Sequence, residues 1–191
     1  MTMLAVMGVL KTEKGLIIKE KISNYLKPRF DILYIEQEPP GVLFEYPAIK
    51  YALKLAIDMN EPVLYIHTKG AADPYHMWYQ TPVKKLWEQE FGTAKVEESY
   101  KKVCVDEPTI ICPVAGTANQ TWWNGMIINS AAAKLIMKTF HFDKFRYYYE
   151  SYMCNIPGLN IISSAVEGKY NEKDKDILLK KLTANLPDID Y

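Results

Sequence analysis

Four short segments of the chain carry residue types whose spacing could do chemistry. His67-Thr68-Lys69-Gly70 follows the apolar run Val63-Leu64-Tyr65-Ile66 and places a cation beside a glycine that lets backbone approach a ligand, an arrangement suited to a phosphate or diphosphate. A lysine in a solvated turn fits the same spacing equally well, and a lone histidine such as His67 is more often hydrogen-bonded structure than catalyst. In Thr121-Trp122-Trp123-Asn124-Gly125, two adjacent indoles would point to opposite faces of a strand, so at most one can line a given pocket. An indole is a good platform for a sugar ring, although most tryptophans are core residues; Gly125 would permit close approach of a ligand or of other backbone. Around Glu150, the tyrosines 147, 148, 149 and 152 could build a partly buried carboxylate of the general-base type, while Arg146 at i, i+4 offers a simple surface ion pair, which the spacing favours. Phe44-Glu45-Tyr46-Pro47 reads most simply as a helix start with Glu45 facing the positive end of the dipole.

Other chemistries lose their main support. The chain contains no GxGxxG, Walker lysine loop, HExxH or GxSxG string. Its three cysteines, Cys104, Cys112 and Cys154, form no CxxC pair, which argues against zinc and for a reducing compartment. The acidic pairs Asp174/Asp176 and Asp188/Asp190 do not follow a core strand and are not counted as metal sites. With 23 Lys plus Arg against 23 Asp plus Glu, there is no global cationic field, so a nucleic-acid partner is not expected. Hydrophobic residues at 49% and charged residues at 24% mark a globular chain, and 191 residues suit one domain, 1–191, without repeat or linker. The apolar first ten residues lack a basic leader and fall short of the roughly 20 needed to span a bilayer. They are expected to form a buried strand in a cytoplasmic protein.

These segments need elements to position them. Strands are expected over 3–10, 31–35 and 63–66, with helices over 11–27 and 47–59 between them. The first helix would carry Leu16, Ile17, Ile22, Tyr25 and Leu26 on its inner stripe and stop at Pro28; the second would carry Ile49, Ala52, Leu53, Ala56 and Ile57. This β-α-β-α-β alternation predicts a parallel sheet with helical crossovers, whose ligands bind beyond the carboxyl ends of the strands, where His67 to Gly70 fall. Downstream, helices are expected over 75–91, 96–102 and 131–139, the last capped by Ser130. A core strand is expected over 109–114, and further body over 122–129, 142–152 and 159–166. A terminal helix over 171–186 would face inward through Ile177, Leu178, Leu182 and Leu186.

Taken in order, Phe44-Glu45-Tyr46-Pro47-Ala48, Val63-Leu64-Tyr65-Ile66-His67-Thr68-Lys69-Gly70, Trp122-Trp123-Asn124-Gly125 and Tyr149-Glu150-Ser151-Tyr152 resemble a family of small glycosyltransferase-like proteins of the GT-A, or nucleotide-diphospho-sugar transferase, fold, akin to those of polysaccharide gene clusters and rhamnan synthesis. The similarity spans about 44–152, and its most specific string is Tyr65 to Gly70. It implies an α/β three-layer sandwich with a mostly parallel central sheet, and transfer of a sugar from a nucleotide-sugar donor to an acceptor hydroxyl in surface polysaccharide or glycolipid assembly. Better-known members end the strand matching 63–66 with a metal-binding Asp-x-Asp pair. Here His67-Thr68-Lys69 stands in that place, which argues against a divalent metal and casts Lys69 as the charge that neutralises the leaving diphosphate. The resemblance further implies Glu150 as acceptor base, with Glu45, His67, Thr68, Gly70, Trp122, Trp123, Asn124 and Gly125 around the substrate. It implies no cofactor beyond the donor, and a glycan or lipid-linked acceptor that would bring peripheral contact with a membrane. The alternative is a non-catalytic nucleotide-sugar or carbohydrate-binding module on the same fold.

Overall fold

The apolar start of the chain forms strand β1 (Met3–Leu10), and its side chains alternate between two cores: Met3, Ala5, Met7 and Val9 face one way and Val6 the other. The computed structural model describes residues 3–39, 45–68, 77–103, 106–117, 120–121, 125–143, 148–149 and 155–186. On either side of β1 lie β2 (Phe30–Gln37) and β3 (Val63–His67), both parallel to it, with Gly8 opposite Ile35 and His67. The crossovers are α1 (Glu13–Leu26) and α2 (Tyr46–Met59), as the alternation predicts.

After α3 (Met77–Phe91) and α4 (Lys95–Lys102) come β4 (Thr109–Cys112), the short β5 (Ala115–Gly116) and β6 (Gln120–Thr121), then β7 (Met126–Ile128) and α5 (Ser130–Met137). The chain continues through β8 (Asn160–Ser163), β9 (Lys169–Tyr170), a 3-10 turn at Glu172–Asp174 and α6 (Lys175–Thr183). Six strands form one sheet in the order β2-β1-β3-β7-β4-β8, and β6-β5-β9 make a small ribbon. The expectation of a parallel sheet holds for β2-β1-β3 and for β4-β8, but β7 runs antiparallel to both β3 and β4. The reason is topological: between β4 and β7 the chain passes through the β5–β6 ribbon, and the described residues of that stretch hold no helix of the kind a parallel crossover requires.

Helices cover both faces. Ile18, Ile22 and Leu26 of α1, Val83, Leu86, Trp87 and Phe91 of α3, Val96 of α4 and Leu178 and Leu179 of α6 share one core, while Ala48, Ile49, Ala52, Leu53 and Ala56 of α2 and Ala132, Ala133 and Ile136 of α5 share the other. In α2 the stripe read from spacing is buried at Ile49, Ala52, Leu53 and Ala56, each large side chain contributing about 1.5–3 kcal/mol, while Ile57 is only partly covered. Two stripes differ from expectation. Thr12 caps α1 by accepting from the Gly15 amide (3.0 Å), and in α1 Gly15, Ile18, Ile22 and Leu26 turn inward, leaving Leu16 and Ile17 nearly half exposed. In α6 the inward pair is Leu178 and Leu179, and Ile177 is 71% exposed.

The cap of α5 also differs: it is Asn129, and Ser130 is the first helical residue. Asn129 Oδ1 accepts from the amides of Ala132 (2.8 Å) and Thr109 (3.2 Å), and its Nδ2 donates to the Glu107 carbonyl (2.7 Å). One buried amide thus starts a helix and anchors β4, a job a hydroxyl could do only in part. Asn129→Ala is expected to cost about 2–3 kcal/mol in urea denaturation, a lost cap plus buried groups left unsatisfied. A loss under about 0.5 kcal/mol would contradict this assignment.

Candidate functional site at the ends of β1 and β3

From Val63 to Ile66 no polar side chain emerges, because β3 is buried on both faces. The first polar residues beyond that run are His67 and Thr68. Thr68 donates its amide to the Gly8 carbonyl (2.9 Å) and accepts at Oγ1 from the Leu10 amide (3.1 Å), locking the ends of β1 and β3 together. Its side chain is buried, so its visible role is to hold these ends in register.

His67 stands between two rings, near-parallel to Tyr65 at a centroid distance of 6.1 Å and edge-on to Trp87 at 5.6 Å. Its Nε2 lies 3.3 Å from Glu45 Oε1, and the two side chains are only 14% and 16% exposed. Glu45 occupies the N-cap position of α2, where its carbonyl accepts from the Ile49 amide (3.0 Å), yet its carboxylate makes no capping bond. That carboxylate sits at the positive end of the helix dipole and pairs with the imidazole. Gly8 makes the approach possible: a Cβ there would come within 3.0 Å of Ala48 Cβ and 3.5 Å of His67 Cβ, so any side chain would wedge the first turn of α2 away from β1. The simple helix-start reading of Glu45 therefore captures its backbone role and misses its partner. For His67, the structure displays largely enclosed packing against Tyr65, Trp87 and Glu45.

An aromatic cluster adjoins Glu45. Tyr46 stacks on Phe140 (5.3 Å) and meets Phe142 edge-on (5.7 Å); Phe140 in turn lies 6.3 Å from Tyr148 and 6.2 Å from Tyr149. Tyr149 is fully buried and exchanges hydrogen bonds with the Asp143 backbone, accepting from its amide (3.2 Å) and donating to its carbonyl (3.3 Å). Burial, with smaller contributions from Tyr148, Asp143 and Glu45, pushes its hydroxyl up to about 12. Tyr148 and Tyr149 are thus wall material beside Glu45.

Gly125 precedes β7, and the space a side chain would need there is taken by protein: a Cβ would lie 2.5 Å from Trp87 Nε1 and 2.8 Å from Phe91 Cε2. What approaches Gly125 closely is the Trp87 indole. Lys69, Gly70, Trp122, Trp123, Asn124 and Glu150 lie outside the described residues. Of the residues singled out, the structure therefore brings together Glu45, His67 and Thr68, with Gly125 joined to them through Trp87. Trp87 itself was missed by motif reading; its signal was the apolar spacing of Val83, Trp87 and Phe91 on α3.

Away from these strand ends, a cavity of about 110 Å³ opens between α4, β4 and β8, lined by Glu90, Ser99, Ile111, Ile162, Ser163 and Ser164 among others. None of the residues singled out borders it. Among the described residues, no group of three His, Cys, Asp or Glu side chains is placed to hold a metal ion, and no helix is long and apolar enough to cross a membrane. No family model matches the chain, and no curated protein and no solved structure matches it significantly.

The packing at Gly125 yields a direct test. Gly125→Ala forces a methyl into the Trp87 indole and should cost about 1–3 kcal/mol, shifting Trp fluorescence in the native baseline. Unchanged stability in chemical denaturation would mean that Trp87 does not occupy this space.

Proposed function

We propose that the chain is a GT-A-like, cytoplasmic glycosyltransferase that seats a nucleotide sugar at the ends of β1 and β3 and passes the sugar to an acceptor hydroxyl of a growing surface polysaccharide or glycolipid. The observation that carries this reading is the position of His67 and Thr68: they end a parallel, doubly buried strand beside β1, where open α/β sheets bind ligands, and Lys69 is the next residue in the chain. A sheet covered by helices on both faces supports the three-layer architecture that the resemblance implies.

In this reading the acceptor oxygen attacks the anomeric carbon, the bond from that carbon to the diphosphate oxygen breaks, and the nucleoside diphosphate leaves with the electron pair. Glu150 takes the acceptor proton. Lys69 neutralises charge that develops on the leaving group, a contribution that is largest when the cation is already oriented. Trp122 or Trp123, with Asn124, would hold the sugar, and Glu45, fixed by His67, would accept a hydrogen bond from a substrate hydroxyl. A second reading, a binding module without turnover, is favoured by one observation: the Thr68 hydroxyl and the His67 ring are both occupied with internal contacts.

Calorimetry with a panel of UDP- and GDP-sugars, followed by a product assay, separates these readings. Transfer or hydrolysis supports the enzyme, and Lys69→Ala is then expected to lower the rate more than about 100-fold with the fold intact. Activity that survives this change overturns the role of Lys69. Binding without turnover supports the module, and no binding to any member of the panel defeats both.

A further inference from the structure

The cavity of about 110 Å³ between α4, β4 and β8 takes most of its lining from those three elements. Lys95, Glu98, Ser99 and Lys102 border it at i, i+3, i+4 and i+7, which puts them on one face of α4. The sheet contributes Ile111 of β4 and Ile162 of β8, register partners next to the carboxyl ends of two parallel strands. Open α/β sheets receive ligands at such ends.

The polar groups differ in how they are engaged. Glu90 of α3 is 2% exposed, and Lys95 reaches its Oε1 at 3.1 Å with a side chain that is itself half exposed. A carboxylate accepts from several donors, so Glu90 can take a second cation beside Lys95. Ser163 Oγ is committed, accepting from the Ala115 amide (2.9 Å) and donating to the Gly168 carbonyl (2.8 Å). Ser164 Oγ is shielded from solvent and has no hydrogen-bond partner among the described residues. A buried hydroxyl in that state is destabilising, and a ligand that pairs with it removes the penalty.

Charge and size select the ligand. Two ammonium groups and two carboxylates border the cavity, so a simple anion meets Glu90 and Glu98, and a simple cation meets Lys95 and Lys102. A zwitterion offers each sign its partner. An enclosed space of about 150 Å³ holds benzene, so this one takes about six non-hydrogen atoms, the size of a small α-amino acid. We propose that the cavity binds such an amino acid, its ammonium group on Glu90, its carboxylate toward Lys102 and the Ser164 hydroxyl, and its side chain on Ile111 and Ile162. This inference does not rest on the reading of the strand ends.

The test is calorimetric titration of the full chain with glycine, L-alanine and L-serine, beside glycerol, inorganic phosphate and methylamine as neutral, anionic and cationic probes. Saturable binding of at least one amino acid is expected, tighter than that of any of the three other probes. Glu90→Gln, which keeps the shape and removes the charge, is expected to weaken it about tenfold or more, and Ser164→Ala about threefold or more. Lys69→Ala should leave it unchanged, as should Lys138→Ala, which removes an exposed lysine just beyond α5. Circular dichroism and urea denaturation establish that each variant is folded; if Glu90→Gln is not, Ser164→Ala and Lys102→Ala decide. Equal affinity in the wild type and in the folded cavity variants overturns the proposal. So does tighter binding of glycerol, phosphate or methylamine, or the absence of binding to all three amino acids at millimolar concentration.

Discussion

A strand packed on both faces can offer chemistry only at its ends, and this constraint organises the molecule. β3 has β1 and β7 as neighbours and a helical layer above and below, so every side chain from Val63 to Ile66 is spent on the core. Beyond that run come His67 and Thr68, and both are engaged at once: Thr68 ties the ends of β1 and β3, and His67 holds Glu45. The absence of a side chain at Gly8 lets α2 come close enough for that second contact. Burial, backbone hydrogen bonding and one close approach thus fix a carboxylate and an imidazole at the rim of the sheet.

Much of this frame could be read from residue order. The first strands and helices are local: the spacing of Ile49, Ala52, Leu53 and Ala56 names the inner face of α2, and the uninterrupted run 63–66 names a strand covered twice. What was not legible depends on partners distant in sequence. The direction of β7 follows from how the chain returns through the β5–β6 ribbon, and no periodicity encodes that. The inward face of α1 is set by packing against β1 and α3, which buries Ile18, Ile22 and Leu26 and leaves the adjacent pair Leu16 and Ile17 outside. The cap of α5 is Asn129, not Ser130, because a cap that also reaches Thr109 and Glu107 needs an amide.

The site divides in the same way. The expected place at the strand ends is where Glu45, His67 and Thr68 gather. Gly125 was expected to make room, and the occupant is Trp87, thirty-eight positions earlier in the chain and visible only as one member of a helical stripe. The cavity beside α4 carried no signal at all: Glu90 and Ser99 look like ordinary helical positions until β4 and β8 are laid beside them. Electrostatic oddities of this kind arise from packing, so sequence spacing is silent about them.

The central claim is that the ends of β1 and β3 are where a ligand is received. Backbone amide NMR during titration with nucleotide sugars addresses it most directly. The account predicts that the largest shifts fall at Leu10, His67 and Thr68, the residues that close those ends. Saturable shifts gathered around α4, β4 and β8, with these three amides unmoved, would contradict it.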